Sequence, residues 1–261
     1  MDYYGDYHTH TRRSDGRQSE EQIIAAAMEW GLKEVAITDH GPMAAGIGIK
    51  NPQAYLELKE RIENLQPLYP DITILTGAEA NIRDLDGTLD IPPDILEQLD
   101  IVIAGLHPYT LPTSLQDGVD IFVQNSLRHF SKAQREKAVN ANTKATVEAI
   151  YANPQIDILS HPGLYFTVDV EEVARACVKQ EVLFEINCGH KHPHVSDIII
   201  AEREGVDFII NSDAHFTDTV GDLRYGSEVV AELKIDPDRI VNCLDGGGHT
   251  RWAKKHKAYT F

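Results

Sequence analysis

Positive charge is scarce in this chain. Its 261 residues include 24 lysines and arginines against 41 aspartates and glutamates, a formal net charge of −17. Broad nucleic-acid binding needs a basic face to neutralise phosphates, so this balance argues against it. The excess of acid has a second reading: carboxylates gathered around divalent cations look acidic in sequence and much less so when loaded. Only the end "RWAKKHKAYTF" is locally basic, and a solvated face is the simpler account of it. Cysteine is nearly missing too. Cys177, Cys188 and Cys243 are the only three and none forms a CxxC, which excludes a disulfide framework and a cysteine zinc site. No apolar run reaches the length of a membrane span, so no membrane partner is expected. The opening residues lack the apolar core of a signal peptide, and a cytoplasmic protein is expected. There is no linker rich in Gly, Ser or Pro and no internal repeat. Residues 1–261 are therefore read as one domain, a length that single α/β barrels often reach.

What is present is an alternation of short apolar runs and helical stretches. "EEQIIAAAMEWG" has apolar residues at helical spacing and ends at Gly31, which suits a helix C-terminus. "EVAITDH" follows as a buried strand, then "NPQAYLELKERIENL" as a helix with Pro52 just inside its start. "DITILTGAEAN" and "DIVIAGLH" read as strands, with "IRDLDGTLDIPPDILEQLD" between them as a loop or small hairpin around a DG turn. A long helix covers "KAQREKAVNANTKATVEAIYAN". "IDILSHPG", "VLFEINCGH" and "VDFIINSDAH" are strands separated by the helices "VEEVARACVKQ" and "VSDIIIAEREG". With the N-terminal segment this makes seven strands, and the alternation favours parallel pairing. Periodicity does not separate a closed barrel from an open doubly wound sheet.

The polar residues are placed more tellingly. His10 follows the first strand, His40 ends the second, Glu79 the third, His107 the fourth and His161 the fifth; Asp213 and His215 end the last. Active sites of α/β barrels and open α/β sheets are built at that end. Residues i and i+2 of a strand share a face, so "HTH" sets His8 beside His10 and "SDAH" sets Asp213 beside His215. With Asp15 of the "SDG" turn, the set holds six imidazoles and three carboxylates. Mixed nitrogen and oxygen ligands suit zinc, manganese or iron. Nine ligands are too many for one ion and about right for three if a carboxylate bridges two of them. Asp39 is expected to fix a histidine tautomer from behind.

"HTHTRRSDG", "ITDH", "GAEAN", "GLHP", "SHPG" and "NSDAH", in this order and spacing, resemble the motifs of the polymerase and histidinol phosphatase (PHP) family. The resemblance runs from about Tyr7 to His215. It implies a distorted (β/α)7, TIM-like barrel with a trinuclear divalent metal site at the C-terminal ends of the strands and hydrolysis of phosphoesters. Carried over residue by residue, it implies that His8, His10, Glu79 and Asp213 hold one metal. Glu79 would bridge to a second held by His107 and His161, and Asp15, His40 and His215 would hold the third. Some family members carry histidine where this chain has Asp15, and the oxygen ligand favours manganese there. The implied chemistry is attack on phosphorus by a hydroxide held between metals, with Glu79 and Asp213 at the catalytic centre.

Other residues have two readings. Asn187, His190 and His192 of "EINCGHKHPHV" either contact the substrate phosphate or its leaving group, or form an exposed loop before a helix. Glu185 faces the same side as Asn187 and either supports the site through hydrogen bonds or is simply buried. Arg17 is the preferred phosphate-gripping arginine, because a guanidinium gives two parallel hydrogen bonds; Arg12 and Arg13 suit salt bridges. Cys188 reads as core, and "DGGGH" as a turn because it lacks the phosphate-loop pattern. Three functions follow. The first is a phosphatase acting on a small-molecule phosphomonoester, with histidinol phosphate one candidate among metabolite phosphates. The second, a phosphodiesterase or exonuclease, is opposed by the acidic balance. The third, an inactive metal-binding regulatory module, is opposed by nine positions that all carry residues able to bind metal. The oligomeric state is left open.

Overall fold

The apolar runs form seven strands: β1 Gly5–Asp6, β2 Glu34–Ile37, β3 Thr73–Asn81, β4 Ile101–Gly105, β5 Ile158–Leu159, β6 Leu183–Asn187 and β7 Phe208–Asn211. The structure is a computed structural model that describes residues 1–249, so the basic end at 251–261 lies outside the described residues. The strands pair in sequence order, every pair parallel. Between and after them run α1 Glu20–Glu29, α2 Gln53–Leu65, α3 Pro93–Leu96, α4 Leu115–Asp117, α5 Gln124–Leu127, α6 Lys132–Ala152, α7 Val170–Gln180, α8 Val195–Glu204 and α9 Arg224–Leu233. The result is the distorted (β/α)7 barrel. Among the described residues no helix is long and apolar enough to cross a membrane.

Strand alternation decides what fills the barrel. Ala36, Leu75, Ile103, Ile158, Leu183 and Ile209, from six strands, meet Tyr7 in one buried cluster inside it. Their neighbours Val35, Ile37, Val102, Ala104, Phe184, Phe208 and Ile210 point outward into the layers under the helices. Two residues further along the same inner face the side chains turn polar. Leu183 is followed by Glu185 and Asn187, Ile209 by Asn211, and Leu75 further on by Glu79 and Asn81; all five polar residues are buried. The apolar half of the barrel thus carries a polar half on its C-terminal side.

Side chains close the seam between β1 and β7. Asn242 donates from Nδ2 to the carbonyls of Gly5 (3.0 Å) and Ile210 (2.6 Å), and its Oδ1 accepts from Ile210 N (3.1 Å). Asp6 accepts from Ser212 N (3.1 Å), Ser212 Oγ (2.5 Å) and Gly221 N (2.9 Å). Beyond the strands, Thr9 bridges Ala214 in parallel register.

Several elements differ from their expected lengths. "EVAITDH" is strand only over Glu34–Ile37 and "IDILSHPG" only over Ile158–Leu159. The chain leaves the ladder to present its polar residues: His161 and Asp213 take positive φ (29° and 53°), a conformation that costs a side chain energy unless its surroundings hold it. Pro52 sits at the cap of α2 rather than inside it, and Gly31 takes φ 76° just after α1. The 82–100 stretch is a small hairpin, Ile82 bridged to Leu89 with Gly87 at φ 77°, followed by α3. "DGGGH" begins as a turn, in which Gly247 N donates to Asp238 (2.6 Å).

Candidate metal centre

All nine residues singled out from the sequence meet at the polar end of the barrel. Glu79, fully buried, is their hub. Its Oε1 lies 3.1 Å from His107 Nε2 and 3.0 Å from His161 Nε2. Its Oε2 lies 2.9 Å from His40 Nδ1, 3.2 Å from His8 Nε2 and 3.6 Å from His10 Nε2. Asp213 Oδ1 is 3.2 Å from His10 Nε2 and 3.5 Å from His8 Nε2. Asp15 Oδ2 is 3.2 Å from His215 Nε2 and 3.8 Å from His40 Nε2. Three groups have ligand atoms within 4.8 Å of one another: His10, Asp15, His40 and His215; His8, His10 and Glu79; His40, Glu79 and His107. His10, His40 and Glu79 belong to two groups each.

These atoms are short of hydrogen bonds. His8 Nε2, His10 Nδ1 and Nε2, Asp15 Oδ1, His40 Nδ1 and Glu79 Oε2 are buried without a hydrogen-bond partner; among the described residues only Gln18 Oε1 shares that condition. Buried polar atoms are nearly always satisfied. A concentration of unsatisfied donors to metal, all facing one another, fits divalent cations, which imidazole nitrogen and carboxylate oxygen bind together.

Other residues aim the imidazoles. Glu185 Oε1 is 2.7 Å from His8 Nδ1, which leaves Nε2 for the centre. Glu185 is itself held by His161 N (2.8 Å), Asn187 Nδ2 (3.0 Å) and Asn211 Nδ2 (2.9 Å). Asn81 Oδ1 takes His107 Nδ1 (2.8 Å), and the Asp213 carbonyl takes His215 Nδ1 (2.9 Å). This is the way metal-binding histidines are usually oriented. Of the two readings of Glu185, hydrogen-bonded support is the one seen. Asp39 does something other than expected. It touches no imidazole nitrogen; it accepts from Thr11 N, Thr11 Oγ1 (both 2.7 Å) and Ser14 Oγ (2.5 Å), and so pins the turn that carries Asp15.

The electrostatics follow from burial and crowding. Burial pushes the Glu79 carboxyl up, but His40, His8 and His107 around it together outweigh that and hold it well below the usual carboxylate range. Asp213 is held well below its range in the same way, burial being overcome by His8 and His10. Burial, with repulsion from His215 and His40, lowers His10 to about 3, and burial lowers His107 to about 4. At the rim, burial opposes both charges of the Asp15–His215 pair, yet their mutual hydrogen bond and neighbouring charges lower Asp15 to about 2 and raise His215 to about 9.

The residues expected to meet substrate are placed differently from one another. His190 is part exposed, its Nε2 3.5 Å from Asp213 Oδ2. Asn187 is buried behind it, accepting from His190 N (2.9 Å) and donating to Asp213 Oδ2 (3.0 Å). His192 is buried, with Nε2 2.8 Å from the Pro162 carbonyl, and ties the loop after β6 to the loop after β5. Arg17 has an exposed side chain, while its backbone N donates to the His215 carbonyl (2.8 Å). Arg13 pairs with Glu20 (2.8 Å) as a salt bridge, and Arg12 bonds the Arg17 carbonyl (3.1 Å). Cys188 is buried. Tyr109 and Tyr165 escaped sequence reasoning. Tyr109 stacks on His107 (5.1 Å, 10°) with its hydroxyl 3.5 Å from His40 Nε2, and Tyr165 stands edge-on to His161 at 5.7 Å. Their position two and four residues after ligand-type histidines was the available signal.

The PHP domain family model matches residues 6–219, which spans every residue of this cluster. The chain belongs to the PHP domain family. Two relatives extend beyond the matched stretch of this PHP chain. A protein named "Probable phosphatase" from Thermoanaerobacter sp. (strain X514) is 31% identical over 262 residues, covering 97% of this chain and 95% of its own. Another so named, from Clostridium novyi (strain NT), is 29% identical over 254 residues, covering 93% and 91%. Among solved structures, histidinol phosphate phosphatase from Lactococcus lactis subsp. lactis Il1403, complexed with zinc, L-histidinol and phosphate, matches with a TM-score of 0.64 at 19% identity, over 90% of this chain and 95% of that one. At that identity the likeness is one of fold.

Proposed function

We propose that this PHP-domain chain is a metal-dependent phosphatase that hydrolyses a small-molecule phosphomonoester in the cytoplasm. The observation that carries the proposal is the split of Glu79, whose Oε1 faces His107 and His161 while its Oε2 faces His8, His10 and His40. A carboxylate so placed serves two cations. In this reading His8, His10, Glu79 and Asp213 hold one divalent ion, Glu79, His107 and His161 a second, and Asp15, His40 and His215 a third. Zinc, manganese and iron all suit this donor set, and Asp15 favours manganese at the third position. Bound there, the cations would supply the charge that draws protons from water and neutralises phosphoryl oxygens.

The chain's own residues do the rest. Glu185, Asn81 and the Asp213 carbonyl hold three imidazoles in one tautomer each, with the ligand nitrogen turned inward. Tyr109 and Tyr165 keep their hydroxyl protons, because burial raises both, Tyr165 to about 12. They stand beside the cluster as neutral donors for non-bridging phosphoryl oxygens. His190, part exposed beside Asp213, meets the leaving group. Arg17 would reach the phosphate only by turning in from the surface, and His192 acts by holding its loop.

Relatives named as phosphatases, and a fold neighbour complexed with L-histidinol and phosphate, make histidinol phosphate the first substrate to try. The test is phosphate release from a panel of metabolite phosphates, with aryl diesters alongside, by protein loaded with each metal. Turnover of one monoester far above every diester supports the reading. Diester cleavage alone would move it to a phosphodiesterase, and no turnover by fully loaded protein would leave a metal-binding regulatory module.

A further inference from the structure

Asp90 is a buried acid outside the His–Asp–Glu cluster, on the returning arm of the hairpin that follows β3. Its Oδ1 accepts from Asn81 N (2.7 Å), and its Oδ2 accepts from Asn81 Nδ2 (2.7 Å) and Met43 N (3.0 Å). Gly41 makes room for it, since a Cβ there would meet both carboxylate oxygens at 2.2 Å. Asn81, the last residue of β3, is buried as well, and its Oδ1 faces His107 Nδ1 at 2.8 Å. A line of contacts thus runs from carboxylate to amide to imidazole.

An amide has two different ends, and the end it offers decides which nitrogen of a neutral imidazole carries the proton. With Nδ2 turned to Asp90, Asn81 offers His107 an acceptor. The proton then stays on Nδ1, and Nε2 is bare, 3.1 Å from Glu79 Oε1 and 3.3 Å from His161 Nε2. A reversed amide would offer its Nδ2 to the imidazole instead, move the proton to Nε2 and close that nitrogen to a cation. Thr110 Oγ1, 3.3 Å from Asn81 Oδ1, does not choose between the two, because a hydroxyl both donates and accepts. Asp90 does choose. With three donors on it the carboxylate only accepts, and reversal would set Asn81 Oδ1 against Asp90 Oδ2 at the 2.7 Å where Nδ2 now lies.

We propose that Asp90 is a positioning residue for the metal centre, which acts through Asn81 to hold His107 with its proton on Nδ1 and Nε2 free. The role of that nitrogen as a ligand rests on the metal-centre reading; the position of the proton does not.

The experiment is long-range proton–nitrogen NMR on the metal-free full chain carrying isotope-labelled histidine, near neutral pH, where burial keeps His107 uncharged. The spectrum of His107→Gln identifies its signals, and near-UV circular dichroism confirms the fold of each variant. The wild type is expected to carry the His107 proton on Nδ1. Asp90→Asn keeps the shape but turns a donor toward Asn81, so the Asn81 amide should reverse and the proton move to Nε2. Adding Asn81→Asp makes position 81 an acceptor on both sides, and the proton should return to Nδ1. Chelator competition on the same proteins should show one ion held at least about ten-fold more weakly in Asp90→Asn, with most of the loss recovered in the double variant. A merely structural role predicts otherwise: Met43 N is stranded in both variants, so both lose thermal stability while the proton stays where it was. A His107 proton on Nε2 in the wild type overturns the proposal, and that spectrum needs no variant to fold. So does a proton still on Nδ1 in Asp90→Asn, or a shift of the proton that leaves every metal affinity unchanged. Wild type that takes up no metal would instead overturn the metal-centre reading, and the positioning role with it, wherever the proton lies.

Discussion

Glu185 Oε1 sits 2.7 Å from His8 Nδ1, and this one contact turns His8 Nε2 to 3.2 Å from Glu79. The carboxylate belongs to β6 and the imidazole follows β1, so the barrel itself sets the direction in which the nitrogen facing the cluster points. Glu185→Gln keeps the size of the side chain and removes its charge. Supporting groups of this kind typically contribute 10–100-fold to metal affinity. The expected loss is therefore about ten-fold or more, read by chelator competition, together with about 1–3 kcal/mol of stability, because the new amide nitrogen would face donors where an oxygen accepted from them. Unaltered affinity would show that His8 needs no such orientation.

Glu79 is the residue on which both halves of the cluster converge. Glu79→Gln should abolish phosphatase turnover, by at least about 10³-fold, and reduce bound metal by more than one ion per chain. Metal analysis and kinetics on the same preparation check it. A variant that keeps full metal content would show that Glu79 bridges nothing.

Asp39 holds the turn that carries Asp15 through Thr11 and Ser14. Asp39→Ala should free that turn and lower the metal content by about one ion while the other sites keep theirs. It also leaves Thr11 N without its partner, a cost of about 1–3 kcal/mol in stability. Equal loss at all sites would contradict a local role.

The Asp15–His215 pair gives the metal-free protein a pH dependence of definite sign. His215 is raised in the fold to about 9, so its contribution to stability is whole below its ordinary 6.5 and is lost as pH rises through about 9. Asp15 is lowered to about 2, so its contribution is whole above its ordinary 3.8 and is lost as pH falls through about 2. On the proposed ligand set, metal affinity should run the other way at the alkaline end, because an ion held by His215 would displace its proton. Thermal melts of metal-stripped protein between about pH 6.5 and 9 should fall while affinity, measured in the same buffers, rises. Affinity flat across that window would remove His215 from the ligands.

Much of this site could be read from the sequence because its residues sit at strand ends, where an apolar run stops on a histidine or carboxylate. His40, Glu79, His107 and His161 were placed by that pattern alone, and the barrel's parallel order brought them together around Glu79. What escaped depends on contacts between distant segments. Nothing local to Asp39 says that it bonds Thr11 rather than an imidazole, and nothing in "HPHV" says that His192 reaches Pro162. The π-helical stretch Gly118–Val123 after β4 has no simple apolar period, and the strands end early because positive φ at His161 and Asp213 is fixed by surroundings, not by the residues themselves.

Asn242 is another such contact, since its side chain, with that of Asp6, spans the seam where β1 and β7 lack a ladder. Asn242→Leu should destabilise the chain by about 3 kcal/mol by stranding backbone groups of Gly5 and Ile210, with turnover preserved well below the melting temperature. Denaturant unfolding measures it, and a loss under about 0.5 kcal/mol would mean that the seam is held elsewhere.

The measurement to make first joins metal content to turnover on a single preparation: elemental analysis of purified, reloaded protein beside hydrolysis of an aryl phosphate monoester and diester. About three divalent ions per chain, with monoester turnover that a chelator removes and added metal restores, is the expected result. Protein that stays metal-free after reloading and cleaves neither ester would contradict the reading of the His–Asp–Glu cluster as a catalytic metal centre.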